Sequence, residues 1–96
     1  MKTYKLPVDY TTLTSADKKE VREQYVKKQK GNCYYCNTPL ANNPPKHIKS
    51  RWIDWSIFPP NFLKYPIHLQ HNHTTGMTEG AVHAYCNAVM WQYLGK

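Results

Sequence analysis

Long apolar runs are missing from this sequence, acidic residues are few, and cysteine occurs only three times. Each shortage excludes something. No run approaches the roughly 20 apolar residues of a membrane-spanning helix, so no membrane association is expected. The opening stretch MKTYKLPVDYTTL has neither the apolar centre nor the small-residue cleavage site of a secretory leader. Cysteines at 33, 36 and 86 are odd in number and cannot close into a set of intramolecular disulfides. Together these absences point to a reducing, cytoplasmic setting, where close cysteines bind metal more often than they oxidise. Six Asp and Glu stand against thirteen Lys and Arg, a formal charge of +7. That balance suits a polyanionic partner such as a nucleic acid. Ninety-six residues make one domain, 1–96, and one so short buries a small share of its surface. A structural metal is a usual compensation.

What is present reads as an α+β chain. Residues 1–13 look extended around Pro7. A helix is expected over 15–30, with N-cap candidates Thr14, Ser15 and Asp17, an Asp17–Glu20 capping-box pattern, and Val21, Tyr25 and Val26 at helical spacing. Lys27, Lys28 and Lys30 complement its C-terminal dipole and Gly31 stops it. Its lysine face either touches phosphates or is solvated. Residues 31–40 carry CYYC. Residues 41–65 form an insertion in which Pro44-Pro45 and Pro59-Pro60 forbid a long regular element. Its Trp52, Trp55, Ile57, Phe58 and Phe62 are assigned mainly to the core. Stacking on bases beside Lys46, Lys49 and Arg51 is the alternative. Residues 66–72 alternate as a strand, TTGMTEG reads as a turn, and AVH as a second strand. A terminal helix follows from Ala84 to Leu94, with Ala88, Trp91 and either Met90 or Leu94 facing inward and Trp91 and Tyr93 taken as core.

Cys33-x-x-Cys36 is half of a common zinc site, since such a pair sets two thiolates on one tight turn. The second short-spaced pair must supply the rest, and His83-x-x-Cys86 has that spacing. A Cys3His zinc site of Cys33, Cys36, His83 and Cys86 is therefore expected. With all positions protein-filled its role is structural, and such sites contribute apparent binding energies on the order of 10 kcal/mol. Three buried free cysteines beside an incidental histidine is the weaker alternative.

The histidines left over lie in HLQHNH, residues 68–73. His71 and His73 are two apart and would share a strand face. Asn87 follows the last zinc ligand at the start of the terminal helix. A histidine-bearing hairpin followed by an asparagine-bearing helix, pinned by zinc, makes a small concave site. Phosphodiester hydrolysis needs a base for water, a metal on the phosphate and groups that hold both. His68 reads as a strand histidine and His47 has no partner.

Over about residues 31–96 the pattern Cys33-x-x-Cys36, QHNHTTG, His83-x-x-Cys86-Asn87 resembles the HNH (ββα-metal) nuclease superfamily, within it the recombination endonuclease VII type. GAVHAYCNAVMWQY, residues 80–93, is still more similar to the ends of small phage HNH proteins. The resemblance implies a ββα-metal motif over 66–95 and a metal-dependent DNA endonuclease, a hydrolase that leaves 5′-phosphate and 3′-hydroxyl ends. It implies His71 as general base, Asn87 as a ligand of the catalytic cation, and His73 as a support beside it. Gln70 stands where the family has Asp or His as the other ligand, a departure that His68 could compensate. Glu79 replaces an arginine common in the endonuclease VII type. Mg²⁺ or Mn²⁺ fits oxygen-rich ligation, with Ni²⁺ or Zn²⁺ tolerated by histidine-rich variants. DNA is the implied partner, bound mainly through phosphates. The aromatic stretch 52–63 could supply a homodimer surface. A zinc-stabilised nucleic-acid-binding module without catalysis is the competing reading.

Overall fold

The computed structural model describes residues 3–95. The extended reading of 1–13 and the domain span 1–96 reach residues 1, 2 and 96, which lie outside the described residues. After a short 3₁₀ turn at Tyr10–Thr12 come helix α1 (Ser15–Lys28), a single-turn helix α2 (Lys46–Lys49), and a 3₁₀ turn at Trp55–Ile57. Strands β1 (Ile67–His71) and β2 (Thr78–His83) and helix α3 (Ala84–Leu94) complete the chain. The result is a small α+β domain with one two-stranded antiparallel sheet. Among the described residues no helix is long and apolar enough to cross a membrane.

The capping box of α1 lies three residues before the expected pair. Thr14 Oγ1 accepts from the Asp17 amide and Asp17 Oδ2 accepts from the Thr14 amide. Asp17 and Glu20 both face the Tyr4 hydroxyl instead, at 2.7 and 2.9 Å. The helix stops at Lys28 because Lys30 and Gly31 both take positive φ, 57° and 78°, which no right-handed turn can accommodate. The N-terminal segment is stitched on both sides. Gln24 exchanges hydrogen bonds with the Tyr4 backbone at 2.7 and 2.8 Å. Val8 and Thr78 exchange two more, and Tyr10 N donates to Gly76 O at 2.8 Å.

β2 begins at Thr78, earlier than the expected AVH, because this segment and its N-terminal neighbours satisfy its backbone. The hairpin pairs Ile67 with His83 and Gln70 with Gly80. A bulge then leaves Glu79 unmatched before His71 meets Thr78. Asn72 closes the turn, its Oδ1 accepting from the Thr74 and Thr75 amides at 2.8 and 3.0 Å. Both α1 and α3 pack on the hairpin, so β2 is buried along nearly its whole length. The core joins Val21 and Tyr25 of α1, Leu40, Ile48 and Ile53 of the middle segment, and Ala81, Val82, Ala88, Val89 and Met90.

Two packing expectations are corrected here. On α3 the inward residues are Ala84, Cys86, Ala88, Val89 and Met90, whereas Trp91, Tyr93 and Leu94 are 40%, 45% and 55% exposed. The helix packs on both strands and on α2, and its buried residues end at Met90. In the insertion, Ile48 and Ile53 supply the core, while Trp52, Trp55 and Ile57 are exposed and Phe58 and Phe62 half-buried. Polar bonds hold the insertion to α3: Gln92 Nε2 and Tyr93 Oη both donate to Trp52 O, and Asp54 N donates to Gln92 Oε1.

Gly80 sits where α1 and the CYYC turn converge on β2. Gln29 pairs with the Ala81 backbone like a strand, donating to its carbonyl and accepting from its amide, both at 2.9 Å. A Cβ on Gly80 would lie 2.7 Å from Gln29 Oε1 and Tyr34 Cγ and 2.8 Å from Tyr34 Cβ, an atom that the backbone holds in place. Gly80→Ala is therefore expected to lower stability by about 1–3 kcal/mol, the usual range for overpacking. A denaturant titration checks this, and an unchanged midpoint would contradict the packing described.

Candidate metal centre and candidate active site

The CYYC segment forms a tight turn in which Asn37, at φ 59°, donates its amide to Cys33 O. Tyr34 N donates to Ala81 O, which seats the turn against β2. This brings Cys33 and Cys36 to His83 at the end of β2 and to Cys86 in the first turn of α3. Their ligand atoms all lie within 4.8 Å of one another, among the described residues the one His, Cys and carboxylate cluster able to hold a metal. His83 Nδ1 is 3.5 Å from Cys36 Sγ and 3.7 Å from Cys86 Sγ. Zinc–sulfur and zinc–nitrogen bonds of about 2.3 and 2.0–2.1 Å at a tetrahedral angle would set these atoms about 3.6 Å apart.

The tautomer fits as well. His83 Nε2 lies 2.8 Å from Asn42 O and 3.1 Å from Pro39 O. Carbonyls only accept, so Nε2 carries the proton and the Nδ1 lone pair faces the sulfurs, the form a metal ligand requires. Cys33 ionises more readily than Cys86. The Cys86 thiol hydrogen bond, helped by backbone groups of Cys36, His83 and Tyr35, holds it well below the usual thiol range. The same pairing and burial push Cys86 up. Cys33, His83 and Cys86 are all buried. The cluster can hold a structural metal such as zinc, tying the turn, the strand and the helix together.

A cavity of about 260 Å³ runs along β1 and is lined by Gln70, His71, His73 and Asn87, the residues singled out in the sequence, and by His68. Asn87 is fixed by its neighbour Cys86. Its Nδ2 donates to His68 Nδ1 at 2.9 Å. Gln70 is 1% exposed, with Nε2 donating to His71 O at 3.0 Å and 3.4 Å from Glu79 Oε1. Thus the strand histidine His68 is the group in contact with Asn87, and Gln70 is turned into the hairpin's own hydrogen bonding.

His71 is held by its faces. Its ring stacks on Tyr10, centroids 3.8 Å apart and planes 8° apart, and on His73 at 4.5 Å and 28°. His73 in turn meets Trp91 at 4.4 Å. Stacking occupies the ring faces and leaves the in-plane nitrogens at the edge. Burial first, then the charges of His73 and Lys18, lower the His71 pKa against an opposing pull from Glu79. Burial first, and then Arg22, lower that of His68 as well, against backbone groups of Phe62 and Tyr65. Both imidazoles are therefore neutral at pH 7.

No family model matches the chain, and comparison with curated proteins and with solved structures finds no match.

What the cavity can do follows from its own groups: a neutral imidazole edge, a His–Asn pair, and two cations. Lys18 and Arg22, one helical turn apart on α1, also line it. Their spacing in the lysine-rich helix was the available signal for them. Tyr10 gave none, because its place depends on the long-range bonds of Tyr10 to Gly76 and Val8 to Thr78.

Proposed function

We propose that the protein is a metal-dependent endonuclease of the HNH (ββα-metal) kind that hydrolyses DNA phosphodiesters. The observation that carries this reading is one cavity holding His71, His73, His68 and Asn87 beside Lys18 and Arg22, behind a Cys3His cluster that fixes the start of α3. The order β1, β2, α3 agrees with the arrangement such a site needs.

In this reading the scissile phosphate lies against Lys18 and Arg22, whose charges offset its own. His71, neutral and open at its edge, takes a proton from water as the oxygen attacks phosphorus. The P–O3′ bond breaks, the phosphate stays on the 5′ side, and the 3′-oxygen takes a proton from solvent. His73 and Tyr10 keep the His71 ring from turning. His68 Nδ1 and Asn87 Oδ1 would hold a divalent cation once the Asn87 amide turned over and released its bond to that nitrogen, and when bound the cation would neutralise charge on the phosphate and the leaving oxygen. Imidazole and amide donors without a carboxylate suit Mn²⁺ or Ni²⁺ better than Mg²⁺.

The test is cleavage of an end-labelled oligonucleotide duplex by the zinc-loaded protein. Cation-dependent products with 5′-phosphate and 3′-hydroxyl ends are expected. Products bearing 3′-phosphate, or cleavage indifferent to added cation, would count against the reading. Because His71 is depressed below its ordinary pKa of 6.5, the acid limb of kcat/KM should fall below pH 6.5. A limb above that value, in protein that keeps its zinc, would contradict the assignment. The buried, hydrogen-bonded Gln70 favours one second reading, a nucleic-acid-binding module that has lost catalysis. It differs by binding DNA with steep salt dependence and cutting under no cation.

A further inference from the structure

We infer that the aromatic pocket between the insertion and α3 receives a nucleobase lifted out of its stack, while that nucleotide's phosphate lies in the hydrolytic cavity. This inference rests on the nuclease reading. The pocket, about 260 Å³, is lined by Ile57, Phe58, Pro59, Phe62 and Trp91, with His73 and Asn87 on one side. Among the described residues no charged side chain lines it. His73 and Asn87 also line the hydrolytic cavity, so the two spaces share a wall.

Asn87 and Trp91 are one turn apart on α3 and project to the same side. Trp91 is 40% exposed although it leans on His73, and Ile57 is 51% exposed. The volume falls just short of the roughly 300–1,000 Å³ of drug-sized ligand sites and suits a single planar ring system. An apolar aromatic recess lies on one side of the wall, and Lys18 and Arg22 on the other. A nucleotide has that same division, a π face at one end and an anion at the other. His73 and Asn87 offer polar groups at the border, where a base edge would lie. Charge argues for this occupant over a second copy of the chain, since two molecules of formal charge +7 repel each other and attract a phosphate backbone. A base inside a duplex is covered on both faces, so only an unstacked base fits.

The test compares zinc-loaded wild type on three labelled probes at fixed salt without added divalent cation. The probes are a short thymidine strand, the same strand with abasic residues, and the strand annealed to its complement. The thymidine strand should bind tighter than the abasic strand by on the order of 10- to 100-fold, as one stacked base contributes. Trp91→Ala should remove most of that preference, and Trp91→Phe should keep most of it, both with unchanged zinc content. Equal wild-type affinity for thymidine and abasic strands overturns the inference and leaves the nuclease reading standing. No binding to any probe overturns both. A Trp91→Ala protein that passes from dimer to monomer and weakens equally on all probes would assign the pocket to a second copy and overturn the inference.

Discussion

Cys86→Ser is expected to abolish the cooperative fold. Cys86 is fully buried at the point where the CYYC turn, the end of β2 and the first turn of α3 meet. A structural zinc contributes apparent binding energies on the order of 10 kcal/mol. A whole domain is stable by only about 5–15 kcal/mol, so loss of one thiolate removes a comparable amount. A short chain has little apolar core to make up the difference. The wild-type protein should carry one zinc per chain by elemental analysis and melt cooperatively. Cys86→Ser, or wild type held in a strong chelator, should carry none and show no cooperative melt by circular dichroism. A zinc-free protein with an unchanged melt would show the cluster to be three free thiols packed beside a histidine.

His71→Ala is expected to slow DNA cleavage by about 10²–10⁴-fold, the usual contribution of a positioned general base. The substitution removes a partly buried ring stacked between Tyr10 and His73 and leaves the Cys3His cluster intact, so zinc content should not change. Added imidazole should restore part of the rate, because the gap left between Tyr10 and His73 has the shape of the missing ring. His73→Ala is expected to cost less, since its role is to hold His71 in place. Equal rates for wild type and His71→Ala would remove His71 from the mechanism and shift attention to His68.

The metal cluster was legible in the sequence because its spacing is local. Cys33-x-x-Cys36 and His83-x-x-Cys86 are each one turn, and only their meeting needed the fold. Asn87 followed from Cys86 for the same reason. β1 and the ends of α3 were legible from alternation and from Gly95, which takes a left-handed φ of 70° at the helix end. The start of β2 was not, because Thr78 is held by Val8, a partner seventy positions away. On α3 Ala88 and Met90 were read correctly as inward, but Trp91, Tyr93 and Leu94 were misassigned because the buried residues 88–90 are consecutive, a pattern set by packing against both hairpin and insertion. The bond between His68 and Asn87, and the stack that runs from Tyr10 through His71 and His73 to Trp91, join segments whose approach no spacing encodes.

The most direct measurement is incubation of supercoiled plasmid with zinc-loaded wild type and His71→Ala, each with Mn²⁺, with Mg²⁺ and without added divalent cation. Wild type should convert plasmid to the open-circular or linear form only with added cation, and His71→Ala should leave it supercoiled. Intact plasmid under every cation, from protein that carries its zinc and binds DNA, would contradict the hydrolytic reading and leave a zinc-stabilised DNA-binding domain.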